Sequence, residues 1–265
     1  MLRHLTGAGD PALAAYRDVG DPVALERAGL FVVEGRLIVE RLLEDGRFRI
    51  HSVAVTPPAA LALAPVFGAR PDVSILVCEP DVLRSITGID FHRGCLALAW
   101  RDAEDLHRLG DFAAATRILA LEGVANPDNI GGLFRVAFAL GAEAVALDGA
   151  TGDPLYRKAI RTSMGATLRV PYARVANLAE AFATFRASGL LVAALTPEPE
   201  AESIDDYVVA PGARIVLALG SEGAGLHSAS LHAADVRLRI PIDPRADSLN
   251  IVVAAGIALK MLFVR

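Results

Sequence analysis

Three short segments in the second half of the chain hold most of the residues that could do chemistry. The first reads NPDNIGGLFR (residues 126–135), the second LGSEGAGL (residues 219–226) and the third IPIDPRADSLN (residues 240–250). Each follows an apolar, strand-like run, and the first and third lead into apolar, helix-like runs. Polar groups at the carboxyl end of a strand, together with the exposed amides of a helix start, are where α/β proteins bind ligands. The three segments are therefore candidates for an active site.

In the first segment, Asp128 or Asn129 could cap a helix with apolar residues at helical spacing. Arg135 lies off the apolar stripe and over Gly131 and Gly132, where no side chain would obstruct a phosphate or ribose. A lone arginine on a helix is more often a solvated surface residue. The two glycines and the nearby Asn129 favour a functional role for Arg135.

The second and third segments combine turns with polar groups. The glycines of the second allow sharp turns around its one charge, Glu222, although a solvated glutamate in an ordinary turn is the alternative. This pattern matches neither a P-loop nor a dinucleotide-binding fingerprint. In the third, Ile240 and Leu249 could enclose an adenine, with Ser248 and Asn250 beside it. Alternatively, Ser248 only caps the last helix.

In their order and spacing, the three segments resemble the motifs of the SpoU/TrmH branch of the SPOUT RNA methyltransferases. The resemblance is close over residues 111–265 and looser over the first hundred. It implies an S-adenosylmethionine-dependent RNA 2′-O-ribose methyltransferase that acts on ribosomal or transfer RNA and forms a homodimer. It also implies an α/β fold whose C-terminal chain forms a deep trefoil knot around the cofactor pocket.

The resemblance divides the chain into two domains. Residues 1–108 would form a smaller, L30e-like α/β domain that binds the RNA substrate, and residues 109–265 the knotted, parallel-sheet SPOUT methyltransferase domain. Within the first, we interpret Glu34 and Gly35 as an ordinary turn between a strand and a helix.

The resemblance also assigns roles to residues. The implied catalytic residues are Arg135, Asn129, Glu222, Ser248 and Asn250, and the implied cofactor contacts are Gly220, Ile240, Leu249, Thr196 and Leu219. By resemblance, Arg135 positions RNA and activates the ribose 2′-hydroxyl, but a guanidinium is a poor general base. It could instead stabilise the developing alkoxide while the proton leaves through another group or water. The sequence departs from the family in residues 243–247 (DPRAD), a more charged loop than the small-residue loop of the family.

Between residues 157 and 174 the chain is basic. This stretch carries Arg157, Lys158, Arg161, Arg169 and Arg174 without an acidic residue. A solvated helix face is the simple interpretation, but the neighbouring motifs favour contact with an RNA backbone. It also resembles the basic helix of the family, with Arg157, Lys158 and Arg161 as the RNA contacts.

Composition limits the class of protein. The 265 residues carry a net charge of −5, which argues against indiscriminate binding of nucleic acid. Mean hydropathy is +0.42, yet charge, Gly or Pro interrupts every long apolar run, so we predict no membrane span and no signal peptide. Only Cys78 and Cys95 are present, which favours a reduced, cytoplasmic setting, and the histidines form no metal-binding motif.

Apolar runs and helical patterns alternate along the chain. Strands are predicted at residues 118–121, 144–147, 190–195, 215–219 and 236–242, and helices at 130–140, 156–164, 178–187 and 251–263. Earlier strands are predicted at residues 30–33, 52–55, 74–77 and 95–100, with a helix at 36–43 and a linker at 101–111. Such alternation indicates a mostly parallel sheet covered by helices.

Two other functions fit parts of this pattern. A non-catalytic RNA-binding or ribosome-assembly factor would keep the fold, but the intact polar residues of the three segments disfavour it. A small-molecule enzyme with an ordinary open α/β sheet would leave the basic stretch and the N-terminal domain without a purpose.

Overall fold

The computed structural model describes residues 2–88, 94–102 and 107–263, so part of the predicted linker lies outside the described residues. The chain forms two compact units, Met1–Asp105 with Leu155–Leu168 and Leu106–Pro154 with Arg169–Arg265. From sequence, the segment Leu155–Leu168 was expected within the second domain. In the structure it belongs to the first unit, where the helix Arg157–Thr162 packs against the strand Leu30–Glu34.

The strands of the described ranges are β1 (Leu2–Leu5), β2 (Leu30–Glu34), β3 (Ile50–Val55), β4 (Ile75–Cys78), β5 (Cys95–Trp100), β6 (Arg117–Glu122), β7 (Ala144–Leu147), β8 (Tyr172–Arg174), β9 (Leu191–Leu195), β10 (Glu202–Ser203), β11 (Ile215–Gly220) and β12 (Val236–Arg239). The α-helices are α1 (Pro22–Arg27), α2 (Arg36–Asp45), α3 (Pro57–Ala62), α4 (Ala64–Ala69), α5 (Pro80–Thr87), α6 (Pro127–Ala139), α7 (Arg157–Thr162), α8 (Ala166–Arg169), α9 (Leu178–Ala187), α10 (Ser228–Ala233) and α11 (Ile251–Phe263).

The first unit contains a five-stranded sheet in the order β1-β4-β3-β5-β2. Its strands β1, β3 and β4 run parallel, whereas β5 is antiparallel to both β2 and β3. Tyr16 lies fully buried beneath the sheet, and its hydroxyl lies 2.9 Å from the Ser52 hydroxyl, which satisfies both polar groups. The strands predicted in this part of the chain are confirmed by β2, β3, β4 and β5.

The second unit contains a seven-stranded sheet in the order β10-β12-β9-β11-β6-β7-β8, and every neighbouring pair in it is parallel. The predicted parallel sheet is therefore confirmed. Its central strands are continuous aliphatic runs because helices cover both of their faces. Phe182 and Phe185 of α9 fill the core on one face. Because the strands are parallel, their carboxyl ends meet at one edge of the sheet, where ligands bind in such folds.

Two local predictions in the second unit need correction. Asn126, not Asp128 or Asn129, caps α6, since its side chain accepts a hydrogen bond from the Asp128 amide at 2.9 Å. The last predicted strand ends at Arg239 rather than at residue 242. Pro241 has no amide hydrogen to donate to a neighbouring strand, and Ile242 is exposed.

Within the described ranges, no helix combines the length and apolar character that a membrane crossing requires.

Candidate active site

The loop that follows β11 folds back onto the end of its own strand. Ser221 and Gly225 form an isolated bridge, and the Gly225 amide donates to the Ser221 carbonyl at 3.0 Å. A Cβ atom on Gly220 would lie only 1.9 Å from the Gly225 carbonyl carbon. Position 220 must therefore be glycine because the loop's own backbone occupies the space, whatever ligand lies beside it.

A cavity of about 500 Å³ opens at the carboxyl ends of β9 and β11, within the second unit. Its lining includes all five residues expected to contact a cofactor, namely Thr196, Leu219, Gly220, Ile240 and Leu249. Three of the five expected catalytic residues, Glu222, Ser248 and Asn250, line it as well. Segments that are far apart in the sequence thus form the wall of one cavity.

Asn250 connects the three segments through its side chain. Its Nδ2 donates to Glu222 Oε1 at 3.1 Å and to Asn129 Oδ1 at 3.4 Å, while Asn129 itself is buried. The Asn250 Oδ1 accepts a hydrogen bond from the Val252 amide at 2.9 Å and so caps α11. Asn250, rather than Ser248, performs the capping role. The start of α11 is thereby fixed against both the glycine-rich loop and α6.

Helices α6 and α11 pack closely at Gly132, where an added Cβ would lie 2.6 Å from Val252 Cγ2. The expectation that Gly132 leaves room for RNA is therefore wrong, because Val252 fills that space. Arg135 is exposed and does not line the cavity. Its side chain makes no hydrogen bond or ion pair with the described residues.

Comparison with known proteins identifies this arrangement. The family model for the SpoU rRNA methylases matches residues 116–260, which include all three segments. The chain belongs to the SpoU rRNA methylase family. The resemblance inferred from the segments is thus confirmed.

Relatives of this SpoU-family chain match most of its length. A protein of Mycobacterium tuberculosis described as a tRNA/rRNA methyltransferase is 36% identical over 94% of this chain and 87% of the relative. The 23S rRNA (guanosine-2′-O-)-methyltransferase RlmB of a Burkholderia species is 31% identical, and the match covers 72% of this chain and 77% of RlmB.

Solved structures of rRNA methyltransferase from Sinorhizobium meliloti have the same fold. One is 26% identical with a TM-score of 0.83 and covers 98% of this chain and 96% of that chain. A second, described as AdoMet-bound, is 27% identical with a TM-score of 0.80 and covers 98% and 97% of the two chains.

Sequence reasoning missed a buried acid of this SpoU-family chain that contacts the segment after the glycine-rich loop. Glu122, at the end of β6, is only 5% exposed. Its Oε2 accepts a hydrogen bond from the His227 amide at 2.7 Å, and its Oε1 accepts one from Ser230 Oγ at 2.7 Å. Glu122 therefore connects the end of β6 to the segment that follows the glycine-rich loop after β11. A charged residue at the end of an apolar strand was the available signal.

The basic stretch does not act as one surface. Arg174 donates to the Thr151 and Gly152 carbonyls at 2.8 and 3.0 Å, which fixes a loop of the second unit. The guanidinium of Arg169 lies over the Phe138 ring, 4.6 Å from its centroid. Both arginines therefore have a structural function in the second unit.

The three expected RNA contacts of the basic stretch lie on α7, in the first unit. Arg157 Nη1 lies 3.8 Å from Glu34 Oε2, so much of the Arg157 charge is balanced within the protein. Lys158 and Arg161 are exposed. Gly35, beside Glu34, has a φ of 97° and is the N-cap residue before α2, as expected for the turn predicted there.

Proposed function

We propose that this chain transfers a methyl group from S-adenosylmethionine to a ribose 2′-hydroxyl of ribosomal or transfer RNA. As a SpoU-family member it is a methyltransferase of RNA, and the similarity to RlmB, a guanosine-2′-O-methyltransferase, supports the ribose as acceptor. The observation that carries the proposal is the contact of Asn250 with Asn129 and Glu222 at the wall of the cavity.

S-adenosylmethionine is the cofactor, and the cavity fits it. A volume of about 500 Å³ lies within the usual size of small-molecule sites. Leu219, Ile240 and Leu249 supply apolar walls suited to an adenine, and the Gly220 backbone closes one side. When bound, the cofactor supplies an electrophilic methyl group on a positively charged sulfur.

The chain's own residues would position the RNA and stabilise charge. Asn129, Glu222 and Asn250 present amide and carboxylate groups in fixed orientations beside the cavity, and such positioning supplies much of the rate in a two-substrate reaction. A guanidinium is a poor general base, so the role of Arg135 would be to bind phosphate and stabilise negative charge on the 2′-oxygen. Ser248 would hydrogen-bond to substrate at the cavity wall.

Arg135 does not line the cavity of its own chain, which leads us to propose that it acts on the cavity of a partner copy. Val253 and Ile257 on α11 are 51% and 36% exposed, and Phe138 on the adjacent α6 is 44% exposed. Apolar side chains exposed on two neighbouring helices suit a self-complementary dimer interface.

Co-expression of two inactive variants tests the shared site. If Arg135 acts across the dimer, Arg135→Ala and Asn250→Ala should complement each other, because each mixed dimer contains one intact site. Recovery of about a quarter of the wild-type activity is expected for random pairing of subunits. No recovery in dimers of confirmed mixed composition would place Arg135 in its own chain's site.

We further propose that the first unit binds the RNA substrate, with exposed Lys158 and Arg161 as contacts. The ion pair with Glu34 favours a structural role for Arg157. The Arg161→Ala variant should bind RNA more weakly and lower the slope of log affinity against log salt by about one. An unchanged slope would remove Arg161 from the interface.

A trefoil knot in the second unit is also proposed. The chain leaves β12 and reaches α11, which packs on α6 and β11, so residues 240–250 pass the carboxyl ends of β9 and β11.

The cytoplasm is the proposed compartment, since both cysteines are buried and unpaired and a reducing compartment keeps them so.

The acceptor atom can be tested with a radiolabelled methyl group and RNA from cells that lack this gene. Alkaline hydrolysis requires a free 2′-hydroxyl, so 2′-O-methylation should leave the labelled nucleotide in an alkali-resistant dinucleotide. Label in mononucleotides would show methylation of a base instead. Failure to label any RNA, with cofactor binding intact, would favour a non-catalytic RNA-binding factor. The Asn250→Ala variant provides the inactive control.

A further inference from the structure

The charged residues that line the cofactor cavity are all acidic. Glu222 and Asp247 line it, and no described lysine, arginine or histidine does so. Glu222 accepts a hydrogen bond from the neutral amide of Asn250, which leaves its negative charge unbalanced.

The loop before α11 contains one cation, but that cation is balanced within the loop. Arg245 donates through Nε and Nη2 to the two carboxylate oxygens of Asp243, at 2.9 and 2.8 Å. Asp247 has no hydrogen bond or ion pair among the described residues. The loop therefore presents one net negative charge, and the residue that carries it lines the cavity.

We infer that Asp247 and Glu222 make the cavity discriminate by charge, so that it favours S-adenosylmethionine over the product S-adenosylhomocysteine. This inference rests on the proposed function. The two ligands share an ammonium and a carboxylate group and differ by the positive sulfonium, which becomes a neutral thioether when the methyl group leaves. Negative charge at the cavity therefore attracts the methylated form and gives no such attraction to the neutral thioether of the product. Asp247, whose charge has no partner among the described residues, is the specificity-determining residue.

Calorimetric titration of both ligands measures this discrimination. We express it as the dissociation constant of S-adenosylhomocysteine divided by that of S-adenosylmethionine, so a higher ratio means a stronger preference for the methylated form. Asp247→Asn should lower the preference for S-adenosylmethionine by roughly two- to fivefold, the effect of one exposed charge pair. Asp247→Glu should retain the preference. The double variant Asp243→Asn/Arg245→Gln removes a balanced pair from the same loop and should leave the ratio unchanged.

Salt provides an independent readout, because screening weakens only the charge-dependent part of the preference. The ratio for the wild type should fall as ionic strength rises, and the ratio for Asp247→Asn should fall less. An equal loss of affinity for both ligands in Asp247→Asn would overturn the inference, since Asp247 would then contact a group that they share. A wild type that binds neither ligand would instead contradict the proposed function.

Discussion

The packing of α6 against α11 can be tested with two glycine substitutions in the same pair of helices. An alanine at Gly132 would place its Cβ 2.6 Å from Val252 Cγ2 and 3.0 Å from Val252 Cγ1. Valine in a helix is held largely in one rotamer, so its methyl groups cannot turn away. At Gly256 of α11, the nearest atom to an added Cβ is Val136 Cγ1, at an ordinary 4.0 Å.

Both substitutions gain about 1 kcal/mol of helix propensity, and this gain cancels when the two variants are compared. Overpacking applies only to Gly132→Ala, so it should be about 1–3 kcal/mol less stable than Gly256→Ala. Urea denaturation followed by circular dichroism measures the free energy of unfolding. Truncation of the obstructing side chain with Val252→Ala should make Gly132→Ala stabilising. Equal stability of the two glycine variants, or no change of sign in the Val252→Ala background, would refute this account of the packing.

Arg135→Lys keeps the positive charge but loses the planar guanidinium. The rate of single-turnover methylation at saturating RNA should therefore fall by about 10²-fold, with cofactor affinity unchanged. Wild-type rates would mean that Arg135 is an ordinary surface residue. Glu122→Ala removes the acceptor of both the His227 amide and the Ser230 hydroxyl, and should lower the free energy of unfolding by about 1–3 kcal/mol, the cost of a buried unsatisfied group. Urea denaturation that gave the wild-type free energy would contradict this role of Glu122. Burial lowers the pKa of His51 in the folded protein, so the unfolded chain binds more protons at mildly acidic pH. The free energy of unfolding should therefore fall as the pH drops through the unfolded pKa, near 6.5, towards the lower pKa of the folded state. His51→Gln should remove that part of the pH dependence in urea titrations, and identical profiles would contradict the assignment.

Much of the fold was predictable from local patterns. Helix α9 was predicted at residues 178–187 and occupies Leu178–Ala187, and the central strands of the second unit coincide with aliphatic runs. These predictions succeed because a parallel strand buried on both faces must be apolar along its length. Short elements such as β8 and β10 were not predicted, since a few residues carry too little pattern.

Part of the site was also visible in the sequence, because the loops that bind ligands combine glycines with polar residues at the ends of apolar runs. Five expected cofactor contacts line one cavity, although their role remains a prediction. The basic stretch was the weaker case. Its arginines divide between the two units, and Arg174 and Arg157 are engaged with groups of the protein itself.

By itself, the sequence determined the parallel-sheet class, the three segments and the family to which they belong. Only the tertiary structure decided that Asn250 meets Asn129, that Glu122 holds the segment after the glycine-rich loop, and that Val252 fills the space over Gly132. Each of these contacts joins residues more than a hundred positions apart. Hydrophobic periodicity fixes which face of an element is buried, but the order of strands in the sheet decides which distant side chains meet.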